Sequence, residues 1–176
     1  GKATHFRKQG IALHSESHLN DIDRLHYLID TWQPETVLLL GDLFHSTYNK
    51  EWLWFKSLLL HYPETDFILV EGNHDLLPEE AYALSNLKKV DLLEDSALLF
   101  SHAPLHHPVK LNICGHIHPG IRLTGIARQS ITLPCFYYDE NKLILPAFGK
   151  LTGLYLMEKK KSALVHVITG ETIVKL

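Results

Sequence analysis

Apolar positions along the chain keep two different periods, and the change from one to the other divides the sequence. Leu19, Ile22, Leu25, Ile29 and Trp32 recur three or four residues apart, which predicts a helix with one buried stripe. Ser15 or Ser17 can cap its start, and Pro34 follows its end. Residues 36–40 form a short unbroken apolar run of the buried-strand type. The helical period returns over 51–61, with Trp52, Phe55, Leu58 and Leu59 facing inward and Pro63 as the stop. A buried strand at 66–70, a short helix over 78–84 opened by Pro78, and short strands at 97–100 and 111–114 come next. Beyond that point the pattern is mostly strand: 131–138, 143–145, and a closing hairpin within 163–176 around Thr169-Gly170-Glu171. The first half therefore alternates helix and strand, and the second half predicts strands, with no internal repeat or linker.

A chain of 176 residues, 45% of them hydrophobic, can bury a core as one domain, 1–176, without disulfide staples. Its formal net charge of -3 excludes nucleic-acid binding by bulk charge. The local basic clusters (Lys2, Arg7 and Lys8; Lys88 and Lys89; Lys159 to Lys161) read as solvated faces. Two cysteines, Cys114 and Cys135, form no disulfide framework, so a reducing, cytoplasmic compartment is expected. No apolar run is long enough for a bilayer and no signal peptide is visible, so no membrane partner is expected.

Four of the short strands are followed at once by polar residues. Gly41-Asp42 follows Leu40, and Gly72-Asn73-His74-Asp75 follows the 66–70 strand. Ser101-His102 follows Phe100, and Gly115-His116-Ile117-His118 follows Cys114. Ligands of open α/β sheets sit at the carboxyl ends of strands. Parallel strands here would gather Asp42, Asn73, His74, His102, His116 and His118 in one place. A carboxylate can bridge two cations, and imidazoles with an amide oxygen complete a mixed shell suited to Mn²⁺, Fe or Zn²⁺ rather than Ca²⁺. Taken singly, Gly41-Asp42 and Ser101-His102 are common turn sequences, and Gly-His-Ile-His is the sharpest of the four. Other patterns have plainer readings. The alternation His14, Glu16, His18 is a polar helix start, Cys114 is the last core residue of its strand, and His106 and His107 lie in a proline-flanked loop.

The order of these motifs resembles the calcineurin-like metallophosphoesterases over residues 37–148. Residues 1–7, 41–46 (Gly-Asp-Leu-Phe-His-Ser) and 145–149 (Leu-Pro-Ala-Phe-Gly) are similar to the bacterial branch called PdeM, the ligase-associated DNA damage response endonucleases. The resemblance implies an α/β fold of two packed β-sheets flanked by helices (αββα), and two divalent metal ions, with Mn²⁺ first and Fe or Zn²⁺ as alternatives. It implies that Asp42 bridges the ions, that Asn73, His102 and His116 complete one shell, and that His118 binds the other ion. It gives His74 the leaving group and Asp75 the task of orienting His74, with His45 touching substrate or supporting the ligands. The implied reaction is in-line attack of a metal-bound hydroxide on a phosphodiester or phosphomonoester, DNA included, with a DNA ligase or helicase-type partner. The family also opens with an Asp-x-His motif at its first strand, and no Asp-x-His occurs in these residues. The first strand is therefore expected to be missing and one ion to keep only Asp42 and His118. Two further readings stand beside the enzyme: a non-catalytic scaffold on the same fold, and a mononuclear zinc hydrolase built on His116 and His118.

Overall fold

A computed structural model describes residues 16–43, 50–75, 79–84, 86–149 and 152–176. Helix α1 (Glu16–Trp32) carries the apolar stripe of the sequence: Ile29 is buried, and Ile22 and Leu25 pack against the same core. Trp32 departs from expectation, with 76% of its surface exposed. The helix ends there, and Gln33 turns into the left-handed region (φ 44°) to lead the chain toward β1. Helix α2 (Lys50–His61) buries Trp52, Phe55, Leu58 and Leu59 as its period requires.

Both helices cover a small parallel sheet of β1 (Thr36–Leu39), β2 (Asp66–Val70) and β3 (Leu87–Val90), in the order β1-β2-β3. Phe55, Leu58, Leu59, Phe67 and Leu69 are at most 1% exposed there; burying each such side chain stabilises the fold by about 1.5–3 kcal/mol. The short helix expected over 78–84 is a 3-10 turn, Glu79–Tyr82. Asn86 then locks the entry to β3 by donating its amide hydrogens to the carbonyls of Leu59, Tyr62 and Thr65.

The remaining strands form a second, nine-stranded sheet among the described residues. Strands β4 (Leu93–Asp95), β5 (Leu98–Ser101), β6 (Leu111–Cys114) and β9 (Lys142–Ile144) lie side by side, with β5, β6 and β9 parallel. The long β8 (Ser130–Asp139) joins them antiparallel to β7 (Pro119–Thr124), β9 and β11 (Leu164–Thr169). Strand β10 (Tyr155–Leu156) extends β7, and β12 (Thr172–Lys175) closes the expected hairpin. At its turn Gly170 takes φ 68°, a left-handed position that two-residue hairpin loops require. A second core of Cys114, Ile121, Cys135, Tyr137, Ile144, Val165 and Val167 lies on this sheet. The fold is the two-sheet α/β arrangement expected, and the described helices pack on the smaller sheet.

The strand ends of interest do not belong to one sheet. Strands β1 and β2 are parallel neighbours in the small sheet, and β5 and β6 are parallel neighbours in the large one. The two pairs meet at their carboxyl ends. A Cβ on Gly115, after β6, would stand 3.4 Å from the carbonyl oxygen of Leu40, after β1.

Candidate metal centre

Turns with left-handed backbone carry the polar residues out of β1 and β6. Gly41 (φ 81°) and Asp42 (φ 54°) follow β1, and His116 (φ 64°) and His118 (φ 51°) follow β6. Three of these are non-glycine residues in a disfavoured region, a cost of order 1–3 kcal/mol each that surrounding contacts must offset. Those contacts are visible. The Asp75 carboxylate, 2% exposed, accepts backbone N–H bonds from Asp42 (2.9 Å) and Gly72 (2.9 Å) on Oδ2 and from Leu43 (2.8 Å) on Oδ1. It thus holds the turn after β1 against the turn after β2. The N–H of His74 donates to Asp42 Oδ1 at 3.0 Å, which fixes that carboxylate as well.

Asp42, His102 and His116 each bring a ligand atom to within 4.8 Å of the others. Asn73 joins them, its Oδ1 lying 2.9 Å from His102 Nε2. His102 Nδ1 lies 2.8 Å from the Leu40 carbonyl oxygen, which can only accept, so Nδ1 carries the hydrogen. In the neutral ring Nε2 is then left with a lone pair. That lone pair faces Asn73 Oδ1, His116 Nδ1 at 2.9 Å and Asp42 Oδ2 at 3.4 Å. A hydrogen on His116 Nδ1 can satisfy its contact with His102 Nε2, but the Asn73 carbonyl oxygen and the Asp42 carboxylate oxygen facing the same lone pair repel it unless a cation lies among them. The donor set therefore fits a divalent ion of mixed oxygen and nitrogen preference. A backbone carbonyl fixing the far nitrogen of a histidine is also the usual support for a metal-ligating ring.

The four side chains that the resemblance assigned to one ion are thus brought together. His118 lies on the same loop as His116, partly buried, and outside the close cluster of Asp42, His102 and His116. Its carbonyl accepts from Tyr155 at 2.9 Å, which ties the loop to β10. His74 is exposed beside Asp42. His45 lies outside the described residues, as do the 1–7 segment and His14, and the side chains of Glu16 and His18 are not among those described. Cys114 is fully buried, and burial pushes its thiol up to about 12, so it packs as a core residue and offers no thiolate. His107 accepts the N–H groups of Val109 and Lys110 through Nδ1 and caps its own loop, while His106 is exposed.

Sequence reasoning missed one support of the cluster, the Leu40 carbonyl, a backbone group at the end of an apolar strand that no side-chain pattern marks. The close approach at Gly72 was legible in its glycine: a Cβ there would press on the Asp42 backbone N and lie 2.6 Å from Asp42 Oδ1.

Among the described residues no helix is long and apolar enough to cross a membrane. The family model described as calcineurin-like phosphoesterase matches residues 5–109, a span that holds Asp42, Asn73 and His102. His116 and His118 lie beyond it, and the fold brings His116 into the cluster. Among solved structures, the crystal structure of the Pseudomonas putida nuclease MPE is similar in fold, with a TM-score of 0.77 at 23% identity, over 95% of this chain and 82% of that one. No curated protein matches the sequence.

Proposed function

The chain belongs to the calcineurin-like phosphoesterases, and from that premise we propose that it hydrolyses phosphodiesters, with Asp42, Asn73, His102 and His116 holding a divalent cation. The observation that carries this reading is the convergence of Asn73 Oδ1 and Asp42 Oδ2 on the His102 Nε2 lone pair, with His116 Nδ1 beside it. His118, with Asp42 shared, is the candidate ligand for a second ion, and Mn²⁺ is the first cation to try. Cations at such a centre lower the pKa of bound water and offset charge developing on phosphoryl oxygens.

The chain's own residues do the rest. Asp75 keeps the Asp42 turn and the Asn73-His74 turn at a fixed separation, so the ligand atoms are preorganised rather than gathered by the ion. His102, pinned by Leu40, presents one tautomer only. His74, exposed at the cluster, donates a proton to the departing oxygen. A nucleic-acid phosphodiester stands first among substrates because the solved structure similar in fold is of a nuclease. The PdeM-like segments add a DNA repair role in the cytoplasm beside a ligase or helicase-type partner.

The test has two readouts. Ions retained per chain are counted by elemental analysis after loading with Mn²⁺ and dialysis, and turnover of bis(p-nitrophenyl) phosphate is followed with and without chelator. Bound metal with chelator-sensitive turnover is the expected result. Bound metal without turnover of any phosphoester would leave the non-catalytic scaffold as the better reading.

A further inference from the structure

Asn73 and His102 also form one wall of an open, shallow cleft of about 370 Å³, wide enough to seat one ring. The other walls come from places where the chain leaves or crosses between the sheets: Glu71 after β2, Asp91 and Leu92 between β3 and β4, and Leu105 after β5. Leu92 and Leu105 each leave 39% of their surface exposed, which gives the cleft an apolar side. That side is rigidly held. The Leu105 N–H donates to Asn112 Oδ1 at 2.8 Å, and Asn112, wholly buried, donates its own amide hydrogens to the Leu99 carbonyl and Ser101 Oγ.

Charge narrows the choice of occupant. Among the described residues, those lining the cleft include no lysine or arginine. Glu71 is paired with Lys89 at 3.2 Å, and Asp91 is an exposed carboxylate. Grooves that carry a polyanionic strand neutralise its phosphates with basic side chains. Away from the candidate metal ligands, the described lining of this cleft supplies none.

We infer that the cleft seats the uncharged, flat organic group of the phosphodiester, a single nucleobase or aryl ring packed against Leu92 and Leu105, while Asp91 turns away a continuing strand. The substrate is then a small phosphodiester or the terminus of a strand, not a strand interior. This rests on the phosphoesterase reading for its chemistry, but occupancy of the cleft can be measured without turnover.

Uncharged thymidine, titrated into the full chain by amide NMR, should shift the signals of Leu92 and Leu105. Leu105→Ala should weaken that binding by about 10-fold, the effect of trimming an apolar pocket wall. With Mn²⁺ loaded, thymidine 5′-(p-nitrophenyl phosphate) should exceed methyl p-nitrophenyl phosphate in kcat/KM through a lower KM. Leu105→Ala should lower the ratio of the two by a similar factor. Asp91→Lys, a substitution at an exposed position, should raise cleavage within single-stranded oligonucleotides relative to that of the thymidine ester. Thymidine shifts elsewhere, or a substrate ratio that neither variant moves, would overturn the inference while leaving the phosphoesterase reading intact. Thymidine bound at the two leucines with no turnover of either ester would support the cleft and remove the phosphoesterase reading instead.

Discussion

Replacing Asp75 with asparagine should unfold the domain more readily and loosen its grip on metal together. The carboxylate is buried and accepts three backbone N–H groups, two on Oδ2 and one on Oδ1. Hydrogen bonds to a charged acceptor contribute about 1.5–3 kcal/mol each. Asparagine keeps the shape but carries one acceptor oxygen. With that oxygen in the place of Oδ2, Asp42 and Gly72 keep a weaker, neutral partner, and the Leu43 N–H faces an amide donor. One bond is lost outright and two lose their charge assistance, a cost of about 2–4 kcal/mol. Asp75→Ala would strand all three donors and cost about 3–6 kcal/mol, so asparagine is the variant that leaves a folded domain to measure. Urea unfolding followed by circular dichroism gives the stability change, and calorimetric titration with Mn²⁺ gives the affinity change, expected to fall at least about 10-fold as the ligands lose register. An asparagine variant within about 0.5 kcal/mol of the parent, the usual span for a surface substitution, would refute the view that Asp75 holds the two turns together.

The other expectations are narrower. His74→Ala should retain Mn²⁺ and unfold as the parent does while kcat falls by about 100-fold or more; a parent-like rate on bis(p-nitrophenyl) phosphate would remove its assigned role. Gly72→Ala presses a Cβ on the Asp42 backbone N and places it 2.6 Å from Asp42 Oδ1, so it should cost at least about 3 kcal/mol in denaturant melts while weakening Mn²⁺ binding. Burial, with His61 adding to it, lowers the His26 pKa below its ordinary 6.5, although Asp30 and Asp23 pull the other way. The unfolded chain therefore takes up the proton first as pH falls, so stability is full above about 6.5 and declines below it; His26→Gln should flatten that part of the urea-derived stability profile. Burial pushes Cys114 up to about 12 and Cys135 up to about 11, so Ellman's reagent should find almost no reactive thiol in the folded chain at pH 8 and two after unfolding.

Helix α2, strand β2, strand β6 and the closing hairpin were legible because each is decided by its own residues: an apolar period, a proline stop, a glycine at a left-handed turn. Strand β3 was not, since Leu87-Lys88-Lys89-Val90 has two lysines at its centre and becomes a strand only by pairing with β2. Strand β7 opens on Pro119-Gly120, a pair that reads as a turn until β8 supplies its partner. The candidate ligands were legible for the same local reason, because a polar residue directly after a buried strand is visible in one dimension. Tertiary structure alone decided that Asp42 and Asn73 end strands of one sheet while His102 and His116 end strands of the other. It alone brought the Leu40 carbonyl to His102, turned both Asp75 oxygens onto backbone N–H groups, and shaped an open cleft between residues as far apart as Glu71 and Leu105. Local sequence sets which residues extend, turn or bury. Which strand ends meet depends on pairings between distant segments, and those are settled by the packing of the whole chain.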